Sequence, residues 1–182
     1  MGYKYFGLLA FLILLCGLVF IVWRWPQGKH LTFSQHVATH QHTIFYYILL
    51  FSITLPLLLL FFLKWFVPTF QLSNWFSVFI IASSITQYTC TLIPEVRGWK
   101  AKYHRRLAGI SALCLLPPLI LLLASDSVTI IGKLLTLIDL IVMTAIIYAV
   151  IRGKGKHDYF LILQSSYFAA FFIPILFISY LE

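Results

Sequence analysis

Six histidines, His30, His36, His40, His42, His104 and His157, lie outside or at the ends of the chain's apolar runs, close to the carboxylates Glu95 and Asp158. Imidazole with carboxylate is a ligand set for a borderline transition metal. His36 and His40 are four residues apart, so a helix beginning at Thr32 places them on one face with Thr43. His104 and His157 each stand just before an apolar run. His36, His40, His104 and His157 are therefore the candidate ligands for a haem or a divalent metal. The bland reading is that basic loops collect histidine at a membrane surface. No HExxH, CxxC or phosphate-cradling glycine loop is present to sharpen the metal reading.

A second set could hold an anion. Lys102, His104, Arg105 and Arg106 immediately precede the apolar run that begins at Leu107. Helix N-termini offer unpaired N–H groups and a partial positive charge. Arginine adds planar donors that match phosphate. An anionic lipid headgroup is the expected ligand; the alternative is that these charges only set topology.

A third set lies within the apolar runs. Asp139 is the one carboxylate deep in such a run. A charge there costs about 2.5–3.5 kcal/mol on insertion scales, so it is expected to face the interior or water. A packing residue bonded to Thr136 is the plainer account. Gln87 and Gln164, the latter beside Ser165, come out at matching depth, roughly 7–10 Å below the surface. They form either interhelical glue or a polar cavity. Cys16, Cys90 and Cys114 have no disulfide or metal spacing and read as small packing residues.

The elements that must position these groups are membrane spans. The chain is 62% hydrophobic and 10% charged, against about 25% charged in soluble domains. A bilayer core of about 30 Å needs roughly 20 apolar residues of helix. Six stretches qualify: Tyr5–Trp23, Thr43–Phe66, Trp75–Ile93, Leu107–Ala124, Val128–Ile151 and Tyr159–Leu181. The first is too long for a signal peptide and no small-residue cleavage site follows it. All five tryptophans fall near span ends, where interfacial anchors belong. The expected fold is all-α: one six-transmembrane-helix bundle over residues 1–182. Pro56, Pro117–Pro118 and Pro174 predict kinks within spans. Thr32-Phe33-Ser34-Gln35 fits a capping box, which would start the second helix before it enters the bilayer.

The net charge of +8 sits in short loops between spans. There it points to anionic lipid headgroups rather than nucleic acid. Arg97, Lys100, Lys102, Arg105 and Arg106 share loop 3; with Arg24, Lys29, Arg152, Lys154 and Lys156 they put ten cations on one side, against Lys4, Lys64 and Lys133 on the other. The positive-inside rule places loops 1, 3 and 5 in the cytoplasm and both termini outside, with the cell (plasma) membrane as the expected location.

Six spans, Ser34 in the segment before the second, and Pro94 with His104 leading into the fourth resemble the DRAM/Sfk/Frag-type six-span membrane family and its prokaryotic relatives. Gln35 stands where an acidic residue often follows that serine, and the family is usually drawn with cytosolic termini, opposite to the charge count here. The resemblance implies a lipid-associated or scaffolding role. The leading expectation is a non-enzymatic protein that binds or organises membrane lipid through a cytoplasmic-facing polar and basic pocket. The alternatives are a membrane enzyme or electron carrier with a His-bound metal or haem, and an accessory subunit partnered by other membrane proteins.

Overall fold

The computed structural model describes residues 2–96, 98–153 and 159–181. Among these there are helices and turns and no strand. In chain order they are α1 (Tyr3–Arg24), the short α2 (Phe33–Val37), α3 (Gln41–Phe61), a π turn (Phe62–Phe66), α4 (Val67–Thr69), α5 (Asn74–Leu92), α6 (Trp99–Cys114), α7 (Leu116–Ala124), α8 (Ile130–Arg152) and α9 (Phe160–Tyr180). Five helices are long and apolar enough to cross a membrane: Tyr3–Arg24, Gln41–Thr69, Trp99–Ala124, Ile130–Arg152 and Phe160–Tyr180. Only 17% to 39% of the residues in their apolar windows are buried. Most therefore face outward, as they would in lipid. The 19-residue α5 is not among the five. Ser83, Ser84, Thr86, Gln87, Thr89 and Thr91 dilute its apolar character.

Local chemistry sets the ends. Thr32 forms both halves of the capping box: its hydroxyl accepts from Gln35 N at 3.1 Å and its N–H donates to Gln35 Oε1 at 3.0 Å. The helix it starts is short, which corrects one sequence expectation. α2 stops at Val37, and His40 stands in extended backbone just before α3. The Thr43 hydroxyl donates to Val37 O at 2.9 Å and to His40 O at 2.6 Å. It thereby satisfies carbonyls that a continuous helix would have used. His36 and His40 consequently share no helix face. Gly98 opens α6 with φ +85, where a side chain would be strained. At Pro117–Pro118 the helix is interrupted, at Leu115, whereas Pro56 and Pro174 lie inside α3 and α9.

The two ends of the bundle are packed differently. Around the π turn, the buried rings of Phe61, Phe62, Phe66, Phe76 and Phe171 fill the core. Lys4 Nζ lies 5.3 Å and 5.2 Å from the ring centres of Trp65 and Tyr180. α1 and α3 pack most extensively; Gly7 of α1 lies against the Phe61 ring and Gly17 against Leu50. Midway along α5, Ser83 joins it to Ser111 of α6; their hydroxyls lie 3.1 Å apart and each bonds the other's backbone carbonyl. α6 makes little contact with α8 or α9 beyond the bond that the Tyr167 hydroxyl of α9 donates to Ala112 O, and space remains between them.

Candidate functional site

That space is a cavity of about 1090 Å³. It exceeds the usual range of about 300–1,000 Å³ for small-molecule pockets. Ala108, Gly109 and Ala112 of α6 create the room by being small. Ile146, Ile147 and Val150 of α8 and Leu163, Tyr167 and Phe168 of α9 form an apolar wall. Leu113, Ile151 and Tyr159 line it and are exposed, so among the described residues the cavity is open there. Its polar end gathers Thr32, Ser34 and Gln35 from the segment before α3, Gln87 and Cys90 from α5, then Glu95, His104, Arg105 and Gln164.

Glu95 is the hub of this end. Its side chain is 5% exposed. Oε2 accepts from Thr32 Oγ1 at 3.0 Å and Oε1 accepts from Gln35 Nε2 at 3.1 Å. His104 Nε2 and Arg105 Nε each stand 3.9 Å from a Glu95 oxygen, within ion-pair range. That separation is longer than a hydrogen bond. Gln164 Oε1 accepts from Phe33 N at 3.0 Å. Together Glu95 and Gln164 tie the start of α2 to the polar end of the cavity.

The sequence-predicted residues divide. Gln87, Gln164, His104 and Arg105 line the cavity. Gln87 and Ser34 lie beside the Tyr47 hydroxyl, and no Gln87–Gln164 hydrogen bond forms. Ser165 is exposed and donates to Leu161 O within its own helix. Asp139 is buried at 8% exposure with Oδ2 unpartnered, on the α8 face that carries Gly132, Thr136 and Met143, and it does not line the cavity. The Thr136 hydroxyl donates to Gly132 O rather than to Asp139.

The headgroup set is also split. α6 begins at Trp99, so His104 is its sixth residue and not at its N-terminus. Lys102 and Arg106 are exposed on the outer face. His104 is turned inward at 3% exposure: Nδ1–H donates to Ile93 O at 2.6 Å. The Cys90 sulfur is 3.2 Å from His104 Nε2 and 3.4 Å from Nδ1. Being nearly equidistant from the two nitrogens, it lies over the ring rather than in line with either lone pair. The pair is a packed polar contact, not a nucleophile aligned with its base.

For the metal set, His36 is fully buried with Nδ1 on Thr32 O at 3.1 Å, and His40 is exposed. His157 falls outside the described residues. Among the described residues, no group of three or more His, Cys, Asp or Glu side chains is placed to hold a metal ion.

Sequence reading assigned Gln35 a capping role alone and placed Glu95 among candidate metal ligands. The link from Thr32 and Gln35 to Glu95 crosses 60 or more residues, and no periodicity or motif signals it. Comparison with protein-family models, curated proteins and solved structures finds no match for this chain.

Proposed function

We propose that this chain is a six-span protein of the cell membrane that binds a membrane lipid in the cavity between α6, α8 and α9. The observation that carries the reading is the cavity itself: walled largely by apolar side chains, and polar at one end, where α2 is bonded to Glu95 and Gln164. Moving an acyl chain from the bilayer into an apolar cavity gains little, because lipid tails are already apolar. Selectivity therefore resides at the polar end, where Arg105, Gln87, Gln164 and the Glu95 strap meet a headgroup. Arg105 Nε donates to Ala101 O at 3.2 Å, and its side chain is 69% exposed. Its terminal nitrogens are thus presented to a phosphate at the rim, with exposed Lys100, Lys102 and Arg106 nearby.

The sixth span is α5, whose 19 residues reach about 28 Å at the helical rise. The basic loops are assigned to the cytoplasm, with both termini outside. Ser34 and His104, two of the three residues on which the DRAM/Sfk/Frag resemblance rests, both line the cavity.

Native mass spectrometry of the detergent-released protein tests the reading. Gly109 lines the cavity, and a Cβ built there meets nothing within 4 Å. Gly109→Trp should therefore fill the cavity without disturbing α6. The expected result is retained phospholipid on the wild type and its loss in Gly109→Trp. Equal retention by both would refute the cavity as the lipid site.

A further inference from the structure

We infer that the cavity limits the acyl chain of its lipid to about one leaflet's depth, and that the Tyr167 ring is the floor that sets the limit. The inference rests on the cavity reading above and adds a chain-length class to it.

The lining residues occupy one half of each long helix. They run from Ile146 to Ile151 at the C-terminal end of α8 and from Tyr159 to Phe168 at the start of α9. On α6 they reach Leu115, where the helix breaks. One turn further in, each path meets a side chain that is at most 2% exposed and does not line the cavity. These are Met143 before Ile147 in α8, Phe171 after Tyr167 in α9 and Leu119 after Leu115 in α7. All three belong to one packed core, and such interiors leave no room for further atoms. At this boundary Tyr167 lines the cavity and its hydroxyl bridges α9 to α6 through Ala112 O.

The depth follows from helical rise. Arg105, the phosphate contact, and Leu115, at the deep end, are about 15 Å apart along the helix. Half of a bilayer core of about 30 Å is the same length. A chain whose headgroup sits on Arg105 thus meets the floor where its leaflet ends. The apolar wall gains little from a chain that fits, but its floor excludes one that is too long, because overfilling a packed apolar site is unfavourable.

The test incubates the full-length protein in detergent with an equimolar series of phosphatidylglycerols that differ only in chain, from dodecanoyl to eicosanoyl in steps of two carbons. Native mass spectrometry identifies each retained lipid by its mass. Wild-type retention should stay level up to one chain length and then fall by about tenfold, as for an overfilled apolar site. Tyr167→Ala should move that cut-off to longer chains. Tyr167→Phe keeps the ring and loses only the bond to Ala112, so it should keep the wild-type cut-off. Ala112→Leu adds bulk at the same depth and should move the cut-off to shorter chains; it decides the matter if Tyr167→Ala does not fold. A flat series in the wild type, as from a chain leaving past the exposed Leu113, overturns the inference. So does a cut-off that Ala112→Leu leaves in place, or one that shifts in Tyr167→Phe as far as in Tyr167→Ala. Lipid retained without length preference defeats this inference and leaves the cavity reading standing. No retained lipid of any length defeats both.

Discussion

His104 Nδ1 lies 2.6 Å from the carbonyl oxygen of Ile93. Ile93 is the residue that ends α5, and its carbonyl is one of those a helix end leaves without an intrahelical partner. The imidazole of the next helix supplies the donor, and Cys90 packs over the same ring. The turn carrying Glu95 is thus fixed between α5 and α6. His104→Ala should lower stability by about 1–3 kcal/mol, the cost of a buried polar group left unpaired. Cys90→Ala should cost less, because the thiol is a weak hydrogen-bonding group. Thermal unfolding in detergent, followed by tryptophan fluorescence, measures both. A His104→Ala protein as stable as Cys90→Ala would contradict the assignment.

Two glycines should respond in opposite directions to alanine. At Gly7 an added Cβ falls 2.6 Å from the Phe61 ring, and that ring is 1% exposed. Overpacking there costs about 1–3 kcal/mol, which outweighs the 0.5–1 kcal/mol or so that alanine gains in a helix. At Gly109 nothing lies within 4 Å, so only the helical gain remains. Gly7→Ala should melt lower than wild type and Gly109→Ala higher.

Much of the fold was readable because its causes are local. Runs of apolar residues between charged loops mark helices whatever packs beside them, and the Thr32 capping box is written within four residues. The end of α2 was not readable in this way. It depends on Thr43 reaching back to the carbonyls of Val37 and His40, and a continuous helix fits the same residues. The cavity was partly legible through Gln87 and Gln164, whose depth follows from helical rise. Glu95 as its hub was not, because both its hydrogen-bond donors come from the segment before α3. His104 misled for a related reason. Its basic neighbours suggested a surface site, whereas the helical phase of α6 turns it inward and leaves Arg106 exposed.

The strap at the polar end should loosen when Glu95 is removed. Thr32 caps α2 and bonds Glu95 with the same hydroxyl. Glu95→Ala should leave the cap intact while speeding amide exchange in Phe33–Val37, since α2 is too short to hold by itself. Thr32→Ala should cost about 0.5–2 kcal/mol as a lost cap and speed exchange further. Hydrogen–deuterium exchange read by mass spectrometry reports both. Protection unchanged in Glu95→Ala would mean that the carboxylate does not hold α2.

Asp139 should be dispensable to lipid retention. It is buried, its Oδ2 has no partner, and it does not line the cavity. Replacing a buried, unpaired carboxylate by its neutral isostere removes a desolvation cost. Asp139→Asn should therefore match or exceed wild-type thermal stability and keep the same bound lipid. Loss of lipid at unchanged stability would place Asp139 in the binding machinery after all.

The orientation is tested by two exposed lysines on opposite sides of the bundle. Lys64 lies in the π turn after α3, and Lys102 lies in the first turns of α6. The charge count puts Lys102 in the cytoplasm and Lys64 outside. Cys16, Cys90 and Cys114 are all free thiols, so the experiment starts from a variant with all three changed to alanine. Lys64→Cys and Lys102→Cys are then introduced one at a time. In intact cells an impermeant maleimide should label the first and leave the second unlabelled until the membrane is opened. The reverse pattern inverts the topology and would turn the Glu95 end of the cavity to the outside. Labelling of both from outside would remove α5 as a span, because the two sites are separated by that helix.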